Sequence, residues 1–93
     1  ALPREMALTL VRLELIEFAQ VFDAAERSQA VVRMQATVAA RSATGPAESL
    51  LGQRMIETRA PARSADASGG AAALAAAADA MAIELERWLR SLR

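Results

Sequence analysis

Two pairs of carboxylates are the only side chains whose types and spacing could support acid–base catalysis: Glu14 with Glu17, and Glu84 with Glu86. Carboxyls that act on one substrate must converge on it, one as acid and one as base. Neither pair is placed to do so. On an extended strand Glu14 and Glu17 differ in parity and point to opposite faces unless a bulge intervenes. On a helix Glu84 and Glu86 are two residues apart and diverge. Both pairs read as solvated surface charge. The 93 residues contain no His and no Cys, which excludes imidazole catalysis, thiolate chemistry, disulfides and the usual zinc sites. Gly69-Gly70 precedes a helical pattern, and helix N-terminal amides can cradle phosphate. No GxGxxG or GxxxxGK[ST] pattern surrounds it, so the pair reads as a flexible lead-in. Trp88 could stack on a sugar or a base, but it sits on an apolar stripe, which assigns it to the core. The chain is read as a non-enzyme, with no catalytic, cofactor-binding or metal-ligating residue.

Composition narrows the partners. The 11 acidic and 11 basic residues cancel, so no cationic excess exists to neutralise a phosphate backbone, and a nucleic-acid role is disfavoured. Every basic residue is Arg, which beside so much Ala reflects a GC-rich genome rather than a phosphate-reading surface. Of the apolar residues, 24 are Ala and only 26 are Val, Ile, Leu, Met, Phe or Trp. A chain this short with so few bulky side chains builds a thin core and is marginally stable alone. The run AAALAAAA (71–78), closed by Asp79, is far short of a membrane span. No signal peptide or lipidation motif is read. The start at ALPREM without an initiator Met fits a mature product or an excised piece.

The elements follow from periodicity. LTLVRLELIEFAQVF (8–22) reads as a strand with a fault: Val11, Leu13 and Leu15 share one parity, Ile16, Phe18 and Phe22 the other. QAVVRMQATVAAR (29–41) alternates cleanly, with Ala30, Val32, Met34, Ala36 and Val38 on one face. The break DAAERS supplies a loop of about five residues and hence an antiparallel hairpin. Setting Phe22 opposite Ser28 pairs Phe18 with Val32 and Ile16 with Met34. Without a fault Glu14 would then face Ala36, and Arg12 would face Val38. One extra residue near Leu15-Ile16 replaces these with Leu13 and Val11 and makes the inner face apolar, so a bulge is expected there.

Gly45-Pro46 signals a turn. LLGQRMIETRA (50–60) is a third strand of unassigned inner face, edge-like with Arg54, Glu57 and Arg59, and ended by Pro61. Asp66 or Ser68 could cap the next helix. In 70–92, Ala71, Leu74, Ala78, Met81, Leu85, Trp88 and Leu92 draw one apolar stripe. Its Ala-rich first half lets another backbone approach closely. Its second half fills space over a sheet, and Glu86–Arg90 forms an i,i+4 pair. A coiled-coil seam is the alternative use of the stripe, but Ala at 71 and 78 makes a weak seam and three strands need covering. Ile83 lies off the stripe, as a lone exposed residue or a second contact point. The expected fold is α+β: a three-stranded antiparallel meander followed by one long helix across the even face of the second strand (β-β-β-α), forming a single domain over 1–93.

VRLELIEFAQVFD (11–23), RSQAVVRMQATV (27–38), LLGQRMIETRAPARSADASGGAAALAAA (50–77) and ELERWL (84–89) occur in that order. The succession is a Phe-Gln-Phe strand, a second strand, a Gln-Arg-x-x-Glu third strand, a Pro-Ala-x-Ser-Ala-Asp-Ala linker, an Ala-rich helix and a late Trp. Over roughly residues 10–90 it resembles the C-terminal half of the ABC-type transport auxiliary lipoprotein component family, the PqiC-like proteins. That resemblance implies a periplasmic, membrane-anchored lipoprotein of Gram-negative bacteria. Such a protein is no enzyme and works beside an ABC transporter and an MCE-domain protein to move lipids or other hydrophobic molecules across the envelope. The family's lipidated N-terminal Cys and upstream half-domain are not found in this sequence, and Ile56 stands where Phe is expected. Upstream strands would account for the two-faced first strand and for Ile83. A homo-oligomer is also admitted. The competing class is a stand-alone interaction module that uses a sheet edge or the Ala-rich helix face.

Overall fold

The computed structural model describes residues 7–42 and 48–92. Three strands, β1 (Ala7–Ala24), β2 (Arg27–Ser42) and β3 (Glu48–Pro61), form one antiparallel sheet in the order β1-β2-β3, followed by the helix α1 (Ala67–Ser91). This is the expected β-β-β-α arrangement. The Gly45-Pro46 turn lies outside the described residues.

The hairpin is tighter than the polar break implied. Ala24 pairs with Arg27, so a two-residue turn replaces a loop of about five. Phe22 still faces Ser28, and a register shift beside Asp23 absorbs the difference. Asp23 and Arg27 close the turn as an ion pair at 3.0 Å.

The bulge in β1 lies where the parity fault required it. Val11 pairs with Val38, Leu13 with Ala36 and Phe18 with Val32, and the register shifts between Leu15 and Glu17. One partner differs from expectation: Leu15, not Ile16, faces Met34, and Ile16 is the extra residue. The face change therefore comes after Leu15, which keeps Val11, Leu13 and Leu15 on the side of Phe18 and Phe22.

A second shift settles β3. Val38 faces Gly52 but Ala39 faces Leu50, so Leu51 is skipped. Gly52, Ile56, Thr58 and Ala60 then share the face of β2 that carries Ala30, Val32, Ala36 and Val38. Met55 and Leu50 fall on the opposite face and are exposed.

α1 buries that even face, as the alternation in β2 required. It begins at Ala67 rather than near residue 70 because Asp66 caps it: the Gly69 N–H donates to the Asp66 carboxylate at 2.8 Å, and the Ser64 hydroxyl donates to it at 2.7 Å. In the first half the buried line is Ala73 and Ala77, whereas Ala71 is exposed and Ala78 only half-buried. The expected stripe is thus rotated by about one residue there. The smallest side chains point straight at the sheet, so the helix backbone comes close enough for the Thr58 hydroxyl to donate to the Ala77 carbonyl at 2.7 Å. Further along, Met81 packs with Val32 and Ile56, and Trp88 with Ala36 and Val38, flanked by Leu85, Leu89 and Leu92. The Glu86–Arg90 pair forms at 3.0 Å.

Candidate interaction surface along the first strand

The residues with chemical potential end up apart or already occupied. Beyond the bulge, Glu17 rejoins the face of Glu14, the outer side of the sheet opposite α1. There Glu17 lies 3.7 Å from Arg33, which also binds Glu57. Glu84 pairs with Arg87 and Glu86 with Arg90, so these carboxylates diverge toward separate cations. No group of three His, Cys, Asp or Glu side chains that could hold a metal occurs among the described residues.

Gly69 and Gly70 are a tight joint rather than a flexible lead-in. A Cβ at Gly69 would overlap the Ser64 carbonyl oxygen, and one at Gly70 would overlap the Gln20 side-chain amide. The helix N-terminus already holds an anion, the Asp66 carboxylate, which leaves no cradle for phosphate. Gln20 completes the joint by donating to the hydroxyl of buried Ser28 at 2.9 Å, and so ties β1 and β2 to the start of α1. In the sequence Gln20 stands only as the Gln of the Phe-Gln-Phe strand, with nothing to mark its contacts. Its placement on the helix side follows from the hairpin register, which sets Gln20 opposite Ala30.

The outer face of the sheet is a charged lattice. Glu48 takes Arg12 of β1 at 2.8 Å and Arg41 of β2 at 2.7 Å, and Glu57 takes Arg33 and Arg59. The Arg12 guanidinium first, then Arg41, holds the Glu48 carboxyl down at about 2, from an ordinary 4.5. The Glu57 carboxyl is lowered by Arg33 and then Arg59. A carboxylate with a depressed folded-state pKa stabilises the fold above its unfolded pKa, and that contribution is lost as pH falls through the folded value. Melting temperature is therefore expected to drop between about pH 4.5 and pH 2. Glu48→Gln should flatten this dependence in thermal scans, and salt should weaken the network because its members are solvent-exposed. A Glu48→Gln variant with the parent's full acid sensitivity would show that Glu48 does not carry it.

The helix side is different. α1 lies over β2 and β3 and barely touches β1. The apolar residues that the bulge gathers on this side of β1 therefore stay open: Leu13 is 48% exposed, Leu15 56%, Phe18 51% and Phe22 50%. Between them and α1 runs a groove of about 320 Å³ lined by Leu15, Phe18, Met34, Met81, Ala82 and Leu85. A second groove of about 370 Å³ continues past Val11, Val38, Leu51, Leu89 and Leu92. Ile83 is exposed on the far side of the helix. By length and composition α1 could cross a membrane, yet its Met81 and Trp88 side chains are buried against the sheet.

An apolar strip along a strand whose outer backbone edge is unpaired among the described residues is the chemical feature this arrangement offers. It suits a neighbouring strand or apolar surface. Comparisons of the chain with family models, with curated proteins and with solved structures return no match.

Proposed function

We propose that this chain is a non-catalytic auxiliary component of an ABC/MCE-type transport system, working in the periplasm through contacts rather than chemistry. The observation that carries the reading is the open apolar flank of β1, from Val11 to Phe22, beside α1. Contiguous apolar surface of this kind marks a place of association. The ordered resemblance to auxiliary lipoproteins supplies the kind of assembly: an ABC transporter and an MCE-domain protein that handle lipids or other hydrophobic molecules. In this reading the parent protein is held at a membrane by an N-terminal lipid, and the open flank belongs to the assembled state.

The test is affinity purification of the tagged full-length protein from envelope membranes of its source. The MCE-domain protein and the transporter subunits should be recovered in stoichiometric amounts. Recovery of the protein alone from a compartment other than the envelope would overturn the proposal. A second reading, a stand-alone interaction module, is favoured by the same open edge of β1. It would be distinguished by a parent gene that lacks a lipobox and has no ABC or MCE neighbours.

A further inference from the structure

The chain is long and thin. It measures 59 × 19 × 19 Å with a radius of gyration of 17.9 Å, against ~12 Å for a compact domain of this length. Its accessible surface of 6441 Å² compares with ~5,200 Å² for a compact chain of 9.9 kDa. The surplus of about 1,200 Å² exceeds the ~800 Å² that each partner buries in a standard interface. Most of the exposed large apolar side chains lie on β1, an 18-residue strand whose outer backbone edge pairs with nothing among the described residues.

We infer that β1 is the dyad edge of a homodimer, in which two copies of the chain join their sheets antiparallel, with Leu13 facing its own counterpart. The strand is self-complementary in this register. Val11 falls opposite Leu15 of the second copy, on the helix side, so the apolar flanks merge into one strip. On the outer side Arg12, which also holds Glu48 of its own chain, falls opposite Glu14 of the second copy, and Glu14 is a carboxylate with no cation partner inside its own chain among the described residues. Opposite charges directly across a strand pair stabilise it. The bulges at Ile16 of each copy bound a regular segment over 11–15. Beyond each bulge the register resumes with Thr9 opposite Phe18. The helices then lie on the same side of a six-stranded sheet, and the grooves beside Leu15 and Phe18 close from both flanks. The inference draws on the same open flank as the transport reading but does not need it, since sedimentation of the purified chain reads the dimer with no envelope partner present.

The chain has no cysteine, so one introduced thiol reports on the dyad. Directly opposed residues of an antiparallel pair have Cα atoms ~4.5–5.5 Å apart, within the range of a disulfide. The 93-residue chain should sediment at twice 9.9 kDa at micromolar concentration. Leu13→Cys should oxidise to a covalent dimer with unchanged circular dichroism, whereas Ile83→Cys should stay unlinked. Leu13→Asp should shift the species to monomer, and the half-exposed Leu13 makes this compatible with folding. A monomer at all concentrations would overturn the inference. So would association that Leu13→Cys fails to capture, or a longer chain in which upstream residues rather than a second copy protect β1.

Discussion

Trp88→Ala is expected to lower the unfolding free energy by about 3–5 kcal/mol, the range for removing a buried aromatic from a core. Trp88 is 9% exposed and packs on Ala36 and Val38. The sheet beneath it is built from small residues: a Cβ at Gly52 would come within 3.2 Å of the indole. Leu85, Leu89 and Leu92 flank the indole and can fill only part of the space it leaves, so a cavity remains and the cost stays within that range. For a domain of marginal stability this is a large fraction of the total. Urea denaturation would read it directly. Unchanged stability with altered binding would move Trp88 out of the core and back to a stacking role.

Ala77→Leu should cost about 1–3 kcal/mol through overpacking. Ala77 is fully buried, and its carbonyl accepts the Thr58 hydroxyl at 2.7 Å, so there is no room between α1 and β3 for three further carbons. The substitution must lift the first half of the helix and break that hydrogen bond. Ala75→Leu provides the control, since Ala75 is exposed on the same turn and a change away from packed surfaces stays within about 0.5 kcal/mol. Equal denaturation midpoints for the two variants would mean that the close approach of helix and sheet does not exist.

These two sites also mark where the sequence was legible and where it was not. The second half of α1 was readable because Met81, Leu85 and Trp88 differ sharply from their charged neighbours. The first half was not, because among consecutive alanines nothing distinguishes Ala73 and Ala77 from Ala71 and Ala78. What decides is the close approach of α1 to Thr58, a tertiary effect. The bulge in β1 was readable for the opposite reason: two sets of large apolar residues in conflicting parity leave one economical solution, and only the identity of the extra residue, Ile16, was missed. In β3 the skipped residue, Leu51, is flanked by Leu50 and Gly52, and that run has no parity to violate. The site was half legible. The two-faced character of β1 was visible, but its open flank depends on the helix settling over β2 and β3. Gln20 and the glycine joint were not visible, since their contacts span residues 20, 28, 66 and 70.

The central structural claim is that α1 covers β2 and β3 and leaves the apolar side of β1 for contact with something else. Nuclear Overhauser contacts from the Trp88 indole test it most directly. Cross-peaks to Val38 and to the Gly52 α-protons, with none to Leu13 or Phe18, are the expected result. Strong cross-peaks from Trp88 to Leu13 or Phe18 would place the helix over β1 and contradict it.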